Sequence, residues 1–229
     1  MLSTNKAVDF QLYTPEDARI SLENPTQRPW LSEMRRLRSR VLYADGTRPA
    51  FGPGGERYCD PDPRDARTFH VTVSVEGEIA GCVRAMPLRN DRHDGVLDDL
   101  LGKGKLEDAL DALCSKRDQC VEVSRLMLAS EFRSLNLARW LVAASWSVAL
   151  QLKAALIVAG LGTRDSQDRF ISRFGLAPIP SAKPVRVEAF NDEVRPMFAR
   201  VAAPAESFVN HVHQMHAHLF EAFQVQAAE

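Results

Sequence analysis

The sequence lacks any apolar run near the ~18 residues that a membrane span needs. It also lacks an excess of either charge: 29 Lys and Arg stand against 30 Asp and Glu, for a net charge of -1. The first absence excludes a transmembrane helix, and the second excludes a global basic field for nucleic acid. Cysteine is scarce, and Cys59, Cys82, Cys114 and Cys120 form no C-x-x-C pair. We therefore expect reduced thiols in a cytoplasmic protein, with no disulfide framework and no zinc site. The opening MLSTNKAVDFQLYTPED has no basic stretch followed by an apolar one, so no secretory signal is expected. Repeats and low-complexity blocks are absent too. What is present is 229 residues, 45% hydrophobic and 26% charged, the balance of a globular chain that can bury a core. We expect one domain over 1–200, with a C-terminal helical extension over 201–229 packed on it.

Residues 1–29 are polar and hold Pro15, Pro25 and Pro29, so they read as an irregular lead-in. Trp30, Met34, Leu37 and Val41 recur at helical steps and predict a helix over 30–42, with Arg35, Arg36, Arg38 and Arg40 on its other faces. Residues 43–68, rich in Gly and Pro, read as a long substrate loop. FHVTVSV (69–75) and IAGCVRAMPL (79–88) flank Glu76-Gly77-Glu78 as a hairpin. Short helices are expected near 97–101 and 106–113, a strand over 120–129 and a helix over 134–152. The apolar AALIVAG (154–160) predicts a doubly buried strand. A helix over 165–174, a strand over 185–190 and a helix over 204–224 complete an α/β domain with a mixed central sheet.

The most informative stretch is 121–139. The strand VEVSRLMLA leads through Glu131 and Phe132 into RSLNLAR at a helix start, a turn that aims backbone N–H groups at a phosphate. Arg133-Ser134-Leu135-Asn136-Leu137-Ala138 resembles the Arg/Gln-x-x-Gly-x-Gly/Ala loop of the GNAT acyltransferase superfamily, with Asn136 in place of the central glycine. Asn tolerates positive φ better than most residues. FISRFGLAPIP (170–180) is similar to that superfamily's Tyr-x-x-x-Gly-Phe passage.

A narrower resemblance is to the acyl-homoserine lactone (autoinducer) synthases. GCVRAMPL (81–88) is similar to their Gly-x-x-Arg-Leu-Leu-Pro-Thr segment, and VEVSR (121–125) to their Glu-x-Ser-Arg strand. Asp60, Asp62 and Asp65 follow their acidic loop pattern, and Arg38 with Leu42 resembles their Arg-x-x-x-Phe helix end. Leu42 replaces that Phe, Leu88 the usual Thr, and Phe51 is the nearest aromatic to their loop Trp. These departures leave the related N-acyl amino acid synthases open.

The resemblance implies N-acyl transfer from a fatty acyl thioester to an amine, with acyl-homoserine lactone synthesis from S-adenosylmethionine as the first reading, long-chain N-acyl amino acid synthesis as the second and an acetyl-coenzyme A-dependent N-acetyltransferase as the third. Amino acids carry a protonated amine near neutral pH, so a base is needed. Glu122 is the candidate, with Arg125 and Arg84 beside it in the catalytic set. Arg38, Phe51, Asp62, Asp65, Ser124 and Thr163 are expected on the acceptor side. Leu126, Met127 and Leu128, with Arg133, Ser134, Asn136, Ala138 and Arg139, are expected on the donor side. Backbone N–H groups near Leu126 and Met127 would hold an oxyanion. The charges of Asp62, Asp65, Arg38, Arg84 and Arg125 are expected to form a network over the acceptor. The donor is acyl-acyl carrier protein, presenting phosphopantetheine, or acyl-coenzyme A, with no tightly bound cofactor and no metal. Arg133, Arg139, Lys153, Arg35 and Arg36 would dock an acidic carrier protein. The implied acceptor is S-adenosylmethionine or an amino acid.

Plainer readings stand beside these. Glu122 could be a salt-bridge partner of Arg125, the aspartates ordinary loop residues, and Thr163 a cap rather than an acyl-chain sensor. Cys59 reads as an incidental thiol. His211, His213, His216 and His218 read as a solvated helix face rather than a metal site. Val209, Val212, Met215, Leu219, Phe220 and Phe223 read as core packing.

Overall fold

The computed structural model describes residues 6–43, 46–51, 60–102 and 104–221. Cys59, Phe223 and residues 44–45 and 52–59 of the expected long loop lie outside them. In chain order the elements are β1 (Val8–Tyr13), α1 (Pro15–Glu23), α2 (Trp30–Tyr43), β2 (Phe69–Val75), β3 (Glu78–Pro87), α3 (Val96–Leu101) and α4 (Lys105–Asp111). There follow β4 (Cys120–Leu128), α5 (Leu137–Gln151), β5 (Leu156–Gly162), α6 (Gln167–Ser172), β6 (Ala177–Pro178), β7 (Val185–Val187), β8 (Asp192–Arg200) and α7 (Glu206–His216). The strands form a mixed sheet in the order β1-β2-β3-β4-β5-β8-β6, with β7 also on β8. The β4–β5 pair is parallel, and β5–β8 antiparallel. The expected α/β class with a mixed sheet flanked by helices is what the chain forms.

The strand expected over 185–190 ends at Val187, before a 3-10 turn over Glu188–Phe190, and two longer stretches hold regular structure that was not expected. The irregular lead-in contains β1 and α1: Thr14 and Asp17 close a capping box around Pro15, a start signal that outweighs the polar composition. The strand β8 lies where the charges and Pro196 of DEVRPMFAR hide the alternation. Its backbone pairs with β5 along seven residues, and Pro196 stands opposite Gly160. The described ends of the long loop hold 3-10 turns at Pro49–Phe51 and Pro63–Arg67. The last helix ends as α7, followed by a π turn over Ala217–Glu221.

By contacts the chain divides into two compact units. The first holds residues up to Arg84, Arg125–Ser145 and the chain from Met215. Its apolar cluster is Ala18, Trp30, Leu31, Met34 and Cys82, with Tyr13 and Met127 packed against it. Tyr13 stacks on Trp30 with ring centres 3.8 Å apart. The hairpin turn is Glu76-Gly77, both at positive φ (54° and 84°), which matches the twist of the two strands. On α2 the buried stripe includes Arg38 with Met34, Leu37 and Leu42. Periodicity put Arg38 on a face other than the apolar one, and its burial is possible because carboxylates meet it there.

The second unit holds Ala85–Ser124 and Trp146–Gln214. Met86, Leu88, Leu97, Leu106, Leu110, Cys120, Leu156 and Val158 belong to its apolar cluster. Elsewhere in the unit, Trp146 is fully buried; its ring N–H donates to the Val201 carbonyl at 3.0 Å and its ring makes a T-shaped contact with Phe208.

Candidate functional site

Within the first unit, three aspartates and four arginines interlock. Arg38 donates to both oxygens of Asp65, at 2.9 and 2.7 Å, and to the backbone carbonyl of Asp60 at 2.7 Å. Its Nε lies 3.1 Å from Asp60 Oδ2. Arg84 reaches Asp62 at 2.8 Å and Asp65 at 3.0 Å. Arg125 Nε donates to Asp60 at 2.7 Å, with Asp62 3.5 Å away. Arg35 donates to Asp65 at 2.8 Å. Arg38 and Asp65 are fully buried, and Arg84 is 1% exposed.

Local structure sets this geometry. Asp62 caps the 3-10 turn by accepting from Arg64 N–H at 3.0 Å, and the turn delivers Asp65 to α2. Arg125 takes a positive φ of 54° within β4. Burial opposes ionisation of Asp62, but Arg84, the Arg64 N–H and Arg125 outweigh it and hold the carboxyl at about 2. Asp65 is likewise buried, yet Arg38 and Arg84 hold it well below the usual carboxylate range. Desolvation works against the charge on Arg38 too, but Asp65 and Asp60 raise its pKa.

His70 belongs to this cluster, and no motif pointed to it. It is fully buried on β2; its Nε2 lies 2.9 Å from Thr68 Oγ1 and 3.0 Å from the Asp65 carbonyl oxygen, with Trp30 edge-on at 5.6 Å. Burial pushes its pKa down to about 4. The detectable signal was its place in the alternating FHVTVSV, where it shares a face with Thr72 and Ser74. Arg35, expected on a docking face, is drawn into the network instead, while Arg36 is exposed. Phe51 is half-buried at the end of its 3-10 turn, its carbonyl accepting from Ser39 Oγ at 3.3 Å.

The donor-side residues of this unit follow one another along the chain. Leu126, Met127 and Leu128 are half-buried on β4. Arg133 and Ser134 are exposed on a 3-10 turn, Asn136 is left-handed at φ 59°, and Ala138 and Arg139 lie in the first turn of α5. Asn136 thus occupies the conformation that a glycine would favour.

Glu122 lies in the second unit and is 1% exposed. Its Oε1 accepts from Val96 N–H and its Oε2 from Leu97 N–H, each at 2.8 Å, so both oxygens meet the start of α3. Ser124 is half-buried further along β4. Thr163 follows β5, its N–H donating to the Glu193 carbonyl at 2.9 Å and its carbonyl accepting from Ser166 N–H at 3.1 Å. Lys153 takes a positive φ of 54°.

Among the described residues, His93, Asp98 and Glu107 group as metal ligands could. A cation already sits among them: Arg117 donates to both Asp98 oxygens at 2.7 and 2.6 Å and to Glu107 at 2.8 Å. His213 and His218 are exposed. No helix among the described residues is long and apolar enough to cross a membrane.

Residues 37–143 match a family model described as an acetyltransferase (GNAT) domain. No curated protein matches the sequence. The acyl-homoserine lactone synthase LasI is 13% identical, with a TM-score of 0.60 over 90% of this chain and 95% of that one. BjaI, a coenzyme A-dependent acyl-homoserine lactone synthase solved with S-adenosylmethionine and isopentyl-coenzyme A, is 16% identical, with a TM-score of 0.56 over 92% and 90%. FeeM, an N-acyl amino acid synthase from uncultured soil microbes, is 14% identical, with a TM-score of 0.54 over 86% and 93%. The chain therefore has the GNAT acyltransferase fold, and the resemblance to these two groups of synthases holds in three dimensions.

Proposed function

We propose that the protein is an N-acyltransferase that moves a fatty acyl group from a carrier-protein or coenzyme A thioester to the amine of an amino-acid-derived acceptor. Acyl-homoserine lactone synthesis from S-adenosylmethionine is the reading we favour. The observation that carries it is the buried network of Arg38, Asp62, Asp65, Arg84 and Arg125, in a fold matching such synthases. These are the motif residues of the resemblance, and they meet in space.

In this scheme the acceptor amine adds to the thioester carbonyl carbon, and backbone N–H groups near Leu126 and Met127 hold the oxyanion. The C–S bond then breaks. The amine proton passes to Glu122, directly or through water, and on to the leaving thiolate. The two Glu122 oxygens accept from the Val96 and Leu97 N–H groups, and each carboxylate oxygen carries two lone pairs. With S-adenosylmethionine, the carboxylate of the acylated product then attacks its own side chain, and methylthioadenosine leaves.

We assign carrier-protein docking to Arg133 and Arg139, both exposed. The cytoplasm supplies these substrates. N-acyl amino acid synthesis without lactonisation is the second reading; the fold match to FeeM and Leu42 in place of Phe favour it.

The test is to incubate purified protein with acyl-carrier protein or acyl-coenzyme A and with S-adenosylmethionine or amino acids, then identify products by mass spectrometry. An acyl-homoserine lactone with equimolar methylthioadenosine is expected. An open-chain acyl amino acid selects the second reading. Transfer restricted to acetyl-coenzyme A and small amines overturns both.

A further inference from the structure

We propose that Gly95, Asp98 and Arg117 are positioning residues that fix the Glu122 carboxylate by clamping the start of α3. The inference rests on the acyl-transfer reading of Glu122. All four residues belong to the second unit. Both Glu122 oxygens accept backbone N–H groups, from Val96 and Leu97, at the first two positions of α3. Where those two N–H groups stand decides where the carboxylate stands.

Asp98 sets their place. Its Oδ2 accepts from Gly95 N–H at 2.8 Å, closing the first turn of α3 on itself. Asp98 is in turn held by both ends of the Arg117 guanidinium, at 2.7 and 2.6 Å. Arg117 is anchored at two more points, the Arg89 carbonyl at 3.1 Å and Glu107 at 2.8 Å. Glu107 also meets His93 Nδ1 at 3.1 Å. Arg117 is 4% exposed and Asp98 5%, so the pair is fixed away from solvent.

Gly95 is required by space rather than by backbone angle, for its φ is an ordinary -69°. A Cβ there would stand 2.8 Å from Glu122 Oε2 and 3.0 Å from Asp98 Oδ2. A single methyl group would thus push on both carboxylates. A reacting group displaced by about 1 Å loses ~100-fold in rate, so a clamp of this kind controls turnover without touching substrate.

The experiment compares the wild type with Gly95→Ala, Asp98→Asn and Leu110→Ala in steady-state acyl transfer, with thermal unfolding of each. Leu110 is a buried residue of the same apolar cluster, so its variant reports loss of stability alone. We expect kcat to fall ~10- to 100-fold in Gly95→Ala and Asp98→Asn, with the donor KM within ~2-fold. Leu110→Ala lowers the Tm and keeps kcat. Should either clamp variant fail to fold, Arg117→Lys keeps the charge but loses the fork on Asp98, and the same kcat loss is expected there.

Normal kcat in the clamp variants, or an equal loss in Leu110→Ala, overturns the clamp while leaving acyl transfer standing. A wild type inactive with every donor and acceptor overturns the acyl-transfer reading and the clamp with it. An active wild type whose Glu122→Gln variant is equally active overturns the clamp through its premise.

Discussion

Arg38 and Asp65 form a two-point ion pair, 2.9 and 2.7 Å, with neither side chain exposed to solvent. Taking both charges out of water is costly, and the pair survives because each is also held by others: Asp60 on one side, Arg35 and Arg84 on the other. Removing one member leaves the rest uncompensated. Asp65→Ala is therefore expected to lose about 3–5 kcal/mol of stability, read as the shift of a denaturant midpoint. A loss below ~1 kcal/mol, the range of an exposed pair, would show that the network carries little of the fold.

His70 predicts a pH dependence. Its pKa in the folded protein is about 4, below the usual histidine value, so between ~6.5 and 4 the unfolded chain binds the extra proton. Its contribution is complete above ~6.5 and is lost as pH falls toward 4, by about 3 kcal/mol at most. Asp65, Arg38 and Arg84 face it, and Asp62 and Asp65, both held low by their arginines, lose theirs only at lower pH. Unfolding free energy measured at pH 7, 5.5 and 4.5 is expected to fall in the wild type and to stay nearly level over this range in His70→Gln. Parallel curves would remove His70 as the source.

Glu122→Gln tests the proposed base. We expect turnover to fall ~100-fold or more. The structure adds a second effect. An amide presents NH2 where one oxygen now accepts an N–H of α3, and a buried donor left facing a donor costs about 1–3 kcal/mol. The variant should therefore fold with a lower Tm. Turnover near the wild-type level would take the base role from Glu122.

Asn136 tests the donor loop. At φ 59° it holds a conformation open to Gly and tolerated by Asn. Asn136→Gly is expected to change stability by less than ~1 kcal/mol, whereas Asn136→Val is expected to cost about 1–3 kcal/mol. If this turn cradles the donor's phosphate, Asn136→Val also raises the donor KM, measured with acyl-carrier protein and acyl-coenzyme A in parallel. An unchanged KM for both would move donor binding elsewhere.

The sequence alone determined the order of most elements, the hairpin around Glu76-Gly77 and the identities of Arg38, Asp62, Asp65, Arg84 and Arg125. Periodicity, turn residues and short motifs are local, and each of these features is written within a few positions of chain. Only the tertiary structure decided which charges meet. It buried Arg38 on the apolar stripe of α2, drew Arg35 from the surface onto Asp65, and set His70 behind the Asp65 turn. It also set Glu122 on the backbone of α3 and placed Arg117 where three potential metal ligands gather. A buried charge is stable only if opposite charges or N–H donors reach it. The pairs of Arg38 and Arg84 with Asp65, Leu97 N–H with Glu122, Arg117 with Asp98 and Arg125 with Asp60 join residues 19 to 65 apart along the chain, beyond the reach of any local pattern.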